Sequence, residues 1–183
     1  MIKKIIQAIA YLIVMFTLGF GIYYFLLQPN SLLKSSFGNY TQLSTSTLFA
    51  AKLPNENNVQ QVLKQYQGKI IVLNFWATWC GPCRDEMPEL SQLHTENLNK
   101  DVVVLGIGID TVDLIKDFTL ETPVSYPLFA AEDEGMAIAL ALGNDRGVLP
   151  YTVIIDRRGN VVKTYFGRIN KALLESTVKP LFL

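Results

Sequence analysis

The sequence predicts an α/β domain, a central mixed β-sheet flanked by helices, carried behind an N-terminal transmembrane helix. Three observations carry that reading. Short β-branched runs alternate with segments of helical period from about residue 48 onward. Near the C-terminus two strand-like runs face each other across a short loop containing Gly159, which reads as an antiparallel hairpin. At the other end, the run from Ile5 to Leu27 holds no charge at all. The chain has 183 residues, enough for one domain with a buried core and an appendage. The expected organisation is a cytoplasmic tip and transmembrane anchor at 1–27, a polar tether at 28–46 and the domain at 47–183.

The anchor comes first. About 20 apolar residues at about 1.5 Å each cross a bilayer core, so the Ile5–Leu27 run is long enough. Lys3 and Lys4 precede it and the next charge is Lys34. The positive-inside rule then leaves the N-terminus in the cytoplasm and the domain outside. Tyr23, Tyr24 and Phe25 suit an interfacial aromatic belt. The competing reading is a cleaved signal peptide. The run exceeds a usual signal core, and Gln28-Pro29-Asn30 follows it instead of an A-x-A-like site. Gly19 and Gly21 are not at GxxxG spacing. The tether is rich in Ser, Thr, Asn and Gln without periodicity. Its Asn39-Tyr40-Thr41 matches a sugar-acceptor sequon, a match common by chance.

The elements of the domain follow in order. Leu48–Leu53 reads as a short strand. Asn57–Tyr66, with Val59, Val62, Leu63 and Tyr66, has helical spacing. Lys69–Trp76 is a β-branched and aromatic run short enough for a buried strand, and Pro82–Leu98 is a helix with Met87, Leu90, Leu93 and Leu98 inward. Asp101–Ile109 is a second buried strand. Thr111–Leu120 is a helix burying Val112, Ile115 and Phe118. Tyr126–Ala130 is a strand, and Asp133–Leu142 a helix ended by Gly143. Tyr151–Ile155 and Val161–Phe166 form the hairpin, and Asn170–Val178 is a closing helix.

Formal net charge is zero, so neither nucleic acid nor a strongly cationic partner is indicated. There are two cysteines, Cys80 and Cys83, and one histidine, His94. That is too few for a disulfide scaffold or a four-ligand zinc site. The cysteines therefore read as a redox pair or a reactive pair, not as scaffolding, and no metal and no cofactor beyond their own disulfide is expected.

Placement gives the pair its chemistry. Trp79-Cys80-Gly81-Pro82-Cys83 follows a strand and opens a helix. A helix N-terminus carries partial positive charge and free N–H groups, so a thiolate there is stabilised and its pKa falls. The thiolate is the nucleophile in disulfide exchange. Cys80, at the helix start, is the exposed attacking sulfur. Cys83, one turn on, lies beneath it and resolves the mixed disulfide. Pro82 suits the first turn, where its missing N–H is no loss. Trp79 offers a flat apolar surface to a partner, and Gly81 and Pro82 complete the contact surface.

The stretch Val72–Leu90, VLNFWATWCGPCRDEMPEL, resembles the membrane-anchored TlpA/ResA branch of the thioredoxin-like superfamily. The resemblance extends from about Leu48 to the C-terminus. It rests on NFWATWCxPC, on Pro88 inside the helix after the second cysteine, and on the G-x-x-P-x-T-x-x-I-D-x-x-G stretch from Gly147 to Gly159. It implies a thioredoxin fold. It implies that Pro150 is the cis-proline lying beside the cysteines, with the Leu149 backbone free to pair with an extended substrate. It implies also that Asn74 stands where general thioredoxins carry a buried Asp, and that Glu86 supplies the proton acceptor for Cys83. The plainer reading of Glu86 is a solvated carboxylate near the helix start.

Other readings fall away. Gly106-Ile107-Gly108 lacks the third glycine of a dinucleotide fingerprint. Asp85, Glu86 and Glu89 read as a solvated helix face, and His94 as a surface residue. A copper chaperone of related fold would need CxxxC and a later histidine, and a peroxiredoxin a different cysteine context.

The expected function is a membrane-anchored thiol–disulfide oxidoreductase on the extracytoplasmic side of an inner membrane. By resemblance it reduces client proteins with cysteine pairs, in cytochrome c maturation or copper-oxidase assembly. Its electrons would come from a membrane thiol donor of the DsbD or CcdA type. The alternatives are a disulfide-forming oxidase using the same site and a non-catalytic copper-binding or assembly module.

Overall fold

The structure is a computed structural model describing residues 2–27 and 43–182. Residues 28–42 of the tether, with the Asn39 sequon, lie outside the described residues, as do the side chains of Tyr24 and Phe25. The chain divides into two compact units, Met1–Gln42 and Leu43–Leu183.

In the first unit a single helix, α1 (Ile2–Leu27), runs for 26 residues. Its side chains are described without a break only over 11–21. Among the described residues, no helix is long and apolar enough to cross a membrane.

The second unit starts at Leu43, inside the segment read as tether. Thr45 is already fixed there, its Oγ1 donating to the Gly159 carbonyl at 2.7 Å. A short helix α2 (Ser46–Ala50) leads into a small antiparallel pair, β1 (Lys52–Pro54) and β2 (Gln60–Val62), and a 3-10 turn over Leu63–Tyr66. Then come β3 (Ile70–Trp76), α3 (Gly81–Asn97), β4 (Val102–Gly108), α4 (Val112–Glu121), β5 (Leu128–Ala130) and α5 (Asp133–Ala141). The hairpin β6 (Tyr151–Ile155) and β7 (Val161–Phe166) follows, and α6 (Lys171–Val178) closes the unit. The main sheet has the order β5-β4-β3-β6-β7. β3 pairs parallel with β4 and antiparallel with β6, and β4 pairs parallel with β5. The sheet is mixed, as the alternation of elements predicts.

Every residue of β3 and β4 is buried, which is why both read as nearly continuous apolar runs, broken only by Asn74: central strands have both faces covered. Alternation sorts the two faces. Ile70, Val72 and Trp76 belong to one core cluster with Cys83, Met87, Leu90 and Leu93 of α3. Ile71, Leu73 and Phe75 belong to the other, with Ile138 and Ala139 of α5 and Leu48 of α2.

Two expected elements differ. Asn57–Tyr66 is a turn, a short strand and a 3-10 turn, not a helix. The Asn55 side chain accepts the N–H groups of Asn57 (3.1 Å) and Val59 (2.9 Å), and Asn58 adopts φ +60°. This local turn chemistry competes with the helical ladder and wins. Val59 and Val62 are exposed, so the apolar spacing that suggested a helix serves no common face. Over Leu48–Leu53, the part before Ala51 is helical and only Lys52–Pro54 is extended. Leu98, expected inward, is exposed just past the end of α3.

Candidate active site

α3 starts where Cys80 caps it. Cys80 has extended backbone angles (φ −85°, ψ 100°) and its Sγ accepts the Cys83 N–H at 3.3 Å. Gly81 and Pro82 fill the exposed first turn, and Pro88 lies inside the helix. Cys80 and Cys83 are joined as a disulfide with their Cα atoms 5.3 Å apart. Cys83 is fully buried and Cys80 is 6% exposed, so the order of access is that expected from the sequence. Trp79, in contrast, is 71% exposed beside them.

The connection from β3 to the cysteines is held from two sides. The Cys80 N–H donates to the Ala77 carbonyl at 3.1 Å, and the Thr78 N–H donates to Asp110 Oδ2 at 2.6 Å. Asp110 follows β4 and is itself buried.

Just before β6, the Leu149–Pro150 peptide is cis. The Pro150 carbonyl accepts the Gly167 N–H at 2.8 Å. Leu149 is half-buried and packs against the cluster that contains both cysteines.

Glu86 lies one turn beyond Cys83 on α3 and is fully buried, not part of a solvated face. Its Oε1 accepts from Asn74 Nδ2 at 2.7 Å and its Oε2 accepts the Ile169 N–H at 2.9 Å. Asn74 Nδ2 also donates to Thr152 Oγ1 at 3.0 Å. Burial raises the Glu86 carboxyl to about 7; the bonds from Ile169 and Asn74 and the charge of Arg168 oppose the rise, and Glu89 adds to it. Glu89 is partly exposed, near Arg168 (3.7 Å), and accepts the Lys171 N–H at 2.6 Å. These two acids therefore fasten the segment between β7 and α6 to α3.

His94, expected on the surface, is buried. β5 pairs with β4 only over Gly106–Gly108. Beyond that pairing His94 Nδ1 accepts the Val104 N–H at 3.2 Å, so a ring nitrogen satisfies a strand N–H that β5 does not reach. Among the described residues no group of three or more His, Cys, Asp or Glu side chains that could hold a metal ion is present.

Residues 46–164 match the AhpC/TSA family. The chain belongs to the AhpC/TSA family. It is 36% identical over 118 residues to the thiol-disulfide oxidoreductase ResA of Bacillus thuringiensis (strain Al Hakam), a match covering 64% of this chain and 66% of that protein. Among solved structures it is similar to the thioredoxin-related protein of Neisseria meningitidis serogroup B, at 36% identity with TM-score 0.62, covering 71% of this chain and 98% of that one. It is also similar to a thiol:disulfide interchange protein of the thioredoxin family from Chlorobium tepidum TLS, at 25% identity with TM-score 0.61, covering 73% and 99% of the two chains. The fold of residues 43–182 is thus thioredoxin-like.

In this member of the AhpC/TSA family, Asp110, Thr152 and Ile169 support the site and sequence reasoning did not single them out for it. Asp110 had one available signal, a lone acid at the end of a buried strand. Ile169 acts through its backbone, which no side-chain pattern reveals.

Proposed function

We propose that the chain is a membrane-anchored thiol–disulfide oxidoreductase that reduces disulfides in exported client proteins. The observation that carries this is the Cys80–Cys83 pair at the start of α3, with Cys83 sealed beneath Cys80. In the reduced chain the Cys80 thiolate attacks a client disulfide. One client thiolate leaves and a mixed disulfide forms. Cys83 then attacks the Cys80 sulfur, the second client thiolate leaves, and the Cys80–Cys83 disulfide closes. The client gains two electrons and two protons, and a membrane thiol donor of the DsbD or CcdA type returns them to the chain. Cys80 is the nucleophile, Cys83 the resolving thiol and Glu86 the acceptor of its proton. Trp79, Gly81, Pro82 and the Leu149 backbone, beside cis-Pro150, receive the client. Cytochrome c maturation or copper-oxidase assembly is the client class suggested by the resemblance to ResA.

The anchor rests on the sequence: residues 5–27 carry no charge and Lys3 and Lys4 stand before them. The domain then lies on the outer side of the inner membrane.

Full-length chain in detergent, kept reduced by dithiothreitol, should accelerate insulin reduction, and Cys80→Ser should abolish this. Retained activity in that variant would end the proposal. Equilibration with glutathione gives the direction: a potential near about −270 mV fits a reductant, and one near about −120 mV makes the chain an oxidase. A membrane-impermeant maleimide should label reduced Cys80 in intact spheroplasts; labelling only after permeabilisation would reverse the topology.

A further inference from the structure

The turn after α5 contains a residue that no motif marks. Asn144 is 2% exposed. Its Nδ2 donates to the Val148 carbonyl at 2.9 Å, and its Oδ1 accepts the Val148 N–H at 3.0 Å. The side-chain amide thus presents a donor and an acceptor to Val148, as a neighbouring strand would. Asn144 is itself fixed: its N–H donates to the Ala139 carbonyl at 2.9 Å, and its carbonyl accepts the Gly147 N–H at 3.4 Å. Gly147, at φ +60°, closes the loop in a conformation that disfavours side chains.

The consequence falls on the next residue. Both backbone groups of Val148 are used from inside the loop. Pro150 has no N–H, and its carbonyl accepts from Gly167. Between them, the N–H and carbonyl of Leu149 have no partner among the described residues. The Leu149 side chain is meanwhile held against the cysteine cluster. Leu149 is only partly buried, so these groups are open to a partner's backbone.

We propose that Asn144 is the positioning residue for client recognition: by clamping Val148 it holds the Leu149 peptide groups out as a short pairing edge. The partner is an extended client segment carrying the cysteine under attack, bound through its own backbone. This rests on the exchange reaction and on the Leu149 contact proposed above, to which it adds the role of Asn144. Only an amide of this length serves. Asp lacks the donor to the Val148 carbonyl, and Ala lacks both groups.

The test uses the full chain in detergent with insulin as the probe. Asn144→Ala should raise KM about tenfold, the worth of one net hydrogen bond at the edge, with little change in kcat. The pH midpoint for alkylation of Cys80, measured in a Cys83→Ser background, should not move, and hydrogen exchange at the Val148 amide should quicken. Asn144→Asp, which keeps only the acceptor, should fall between. In the parent, the Leu149 amide should exchange fast alone and slowly in the mixed disulfide trapped on a client peptide by Cys83→Ser. An unchanged KM overturns the proposal. So does a joint loss of kcat and shift of the alkylation midpoint, or a Leu149 amide equally protected in both states. Should Asn144→Ala not fold, the Asp variant and the Leu149 exchange decide. Failure of the exchange reaction itself looks different: the parent would neither reduce insulin nor form the trapped complex.

Discussion

Replacing Glu86 by Gln should reverse the sign of a stability difference between pH 4.5 and pH 8. The folded carboxyl titrates at about 7 against an ordinary 4.5, with burial as the chief cause. A folded group with a raised pKa binds more protons than its unfolded counterpart in that window. Its contribution is therefore whole below pH 4.5 and is lost as pH rises through 7. At about 1.4 kcal/mol per pH unit, the loss totals about 3 kcal/mol. Gln is neutral at every pH, but it places an NH₂ where one of the two carboxylate oxygens accepted. Either Asn74 Nδ2 or the Ile169 N–H then faces a donor. That adds a constant penalty of about 1–2 kcal/mol. The variant should thus be less stable than the parent by about 1–2 kcal/mol near pH 4.5 and more stable by a similar amount near pH 8. Urea unfolding of the oxidised proteins, followed by tryptophan fluorescence at half-unit pH steps, gives the difference directly, since all other titrations are shared. A difference that stays flat across this range would refute the account of Glu86 as a buried carboxyl titrating near neutrality.

Two further outcomes follow from the same core. His94 is the chain's only histidine, so its ring can be followed by NMR without assignment, and burial lowers its pKa, with Lys69 adding to the effect. Its Nδ1 must be bare to accept from Val104, so the Nε2–H tautomer should persist below pH 6.5, and stability should fall as pH drops through 6.5 toward the lower folded value; a ring titrating at or above 6.5 would contradict this. Gly106→Ala would place a Cβ 2.6 Å from Leu128 Cδ2, 3.1 Å from the Tyr126 ring and 3.2 Å from Trp76 Nε1. The urea midpoint should fall by the equivalent of about 1–3 kcal/mol, and an unchanged midpoint would show that this part of the core is loose.

Much of the scaffold around the site was readable because its signals are local. β3 and β4 are buried throughout and apolar but for Asn74, and α3 carries Met87, Leu90 and Leu93 at helical spacing above a cysteine cap. Asn57–Tyr66 misled because its four apolar residues stand at helical spacing, whereas in the chain the bonds that the Asn55 side chain accepts decide the path. The surface reading of His94 and the plainer, solvated reading of Glu86 failed for another reason. A polar residue on a helix reads as solvated unless its partner is known, and their partners are backbone N–H groups of Val104 and Ile169, the latter 83 residues away along the chain.

The environment of Glu86 also explains how one carboxyl can serve both halves of the proposed exchange. When the reduced chain resolves a mixed disulfide, Cys83 must lose a proton, and when the donor later reduces the pair, Cys83 must regain one. An ordinary carboxyl at 4.5 accepts poorly and holds no proton to return at neutral pH. A carboxyl buried without donors would stay protonated and accept nothing. Here burial alone would carry Glu86 upward, while the N–H groups of Asn74 and Ile169 and the charge of Arg168 hold it at about 7. Near that value the two forms are present in comparable amounts at neutral pH, the condition under which an acid–base group works in either direction. Asn at position 74 is part of this balance. A second acid there would face Glu86 at hydrogen-bonding distance and push one of the pair far upward, whereas the amide donates to Glu86 and to Thr152 with the same nitrogen. The acid on α3 and the amide on β3 are therefore one device, and Asn74→Asp should shift the pH dependence of the exchange rate more than its maximum.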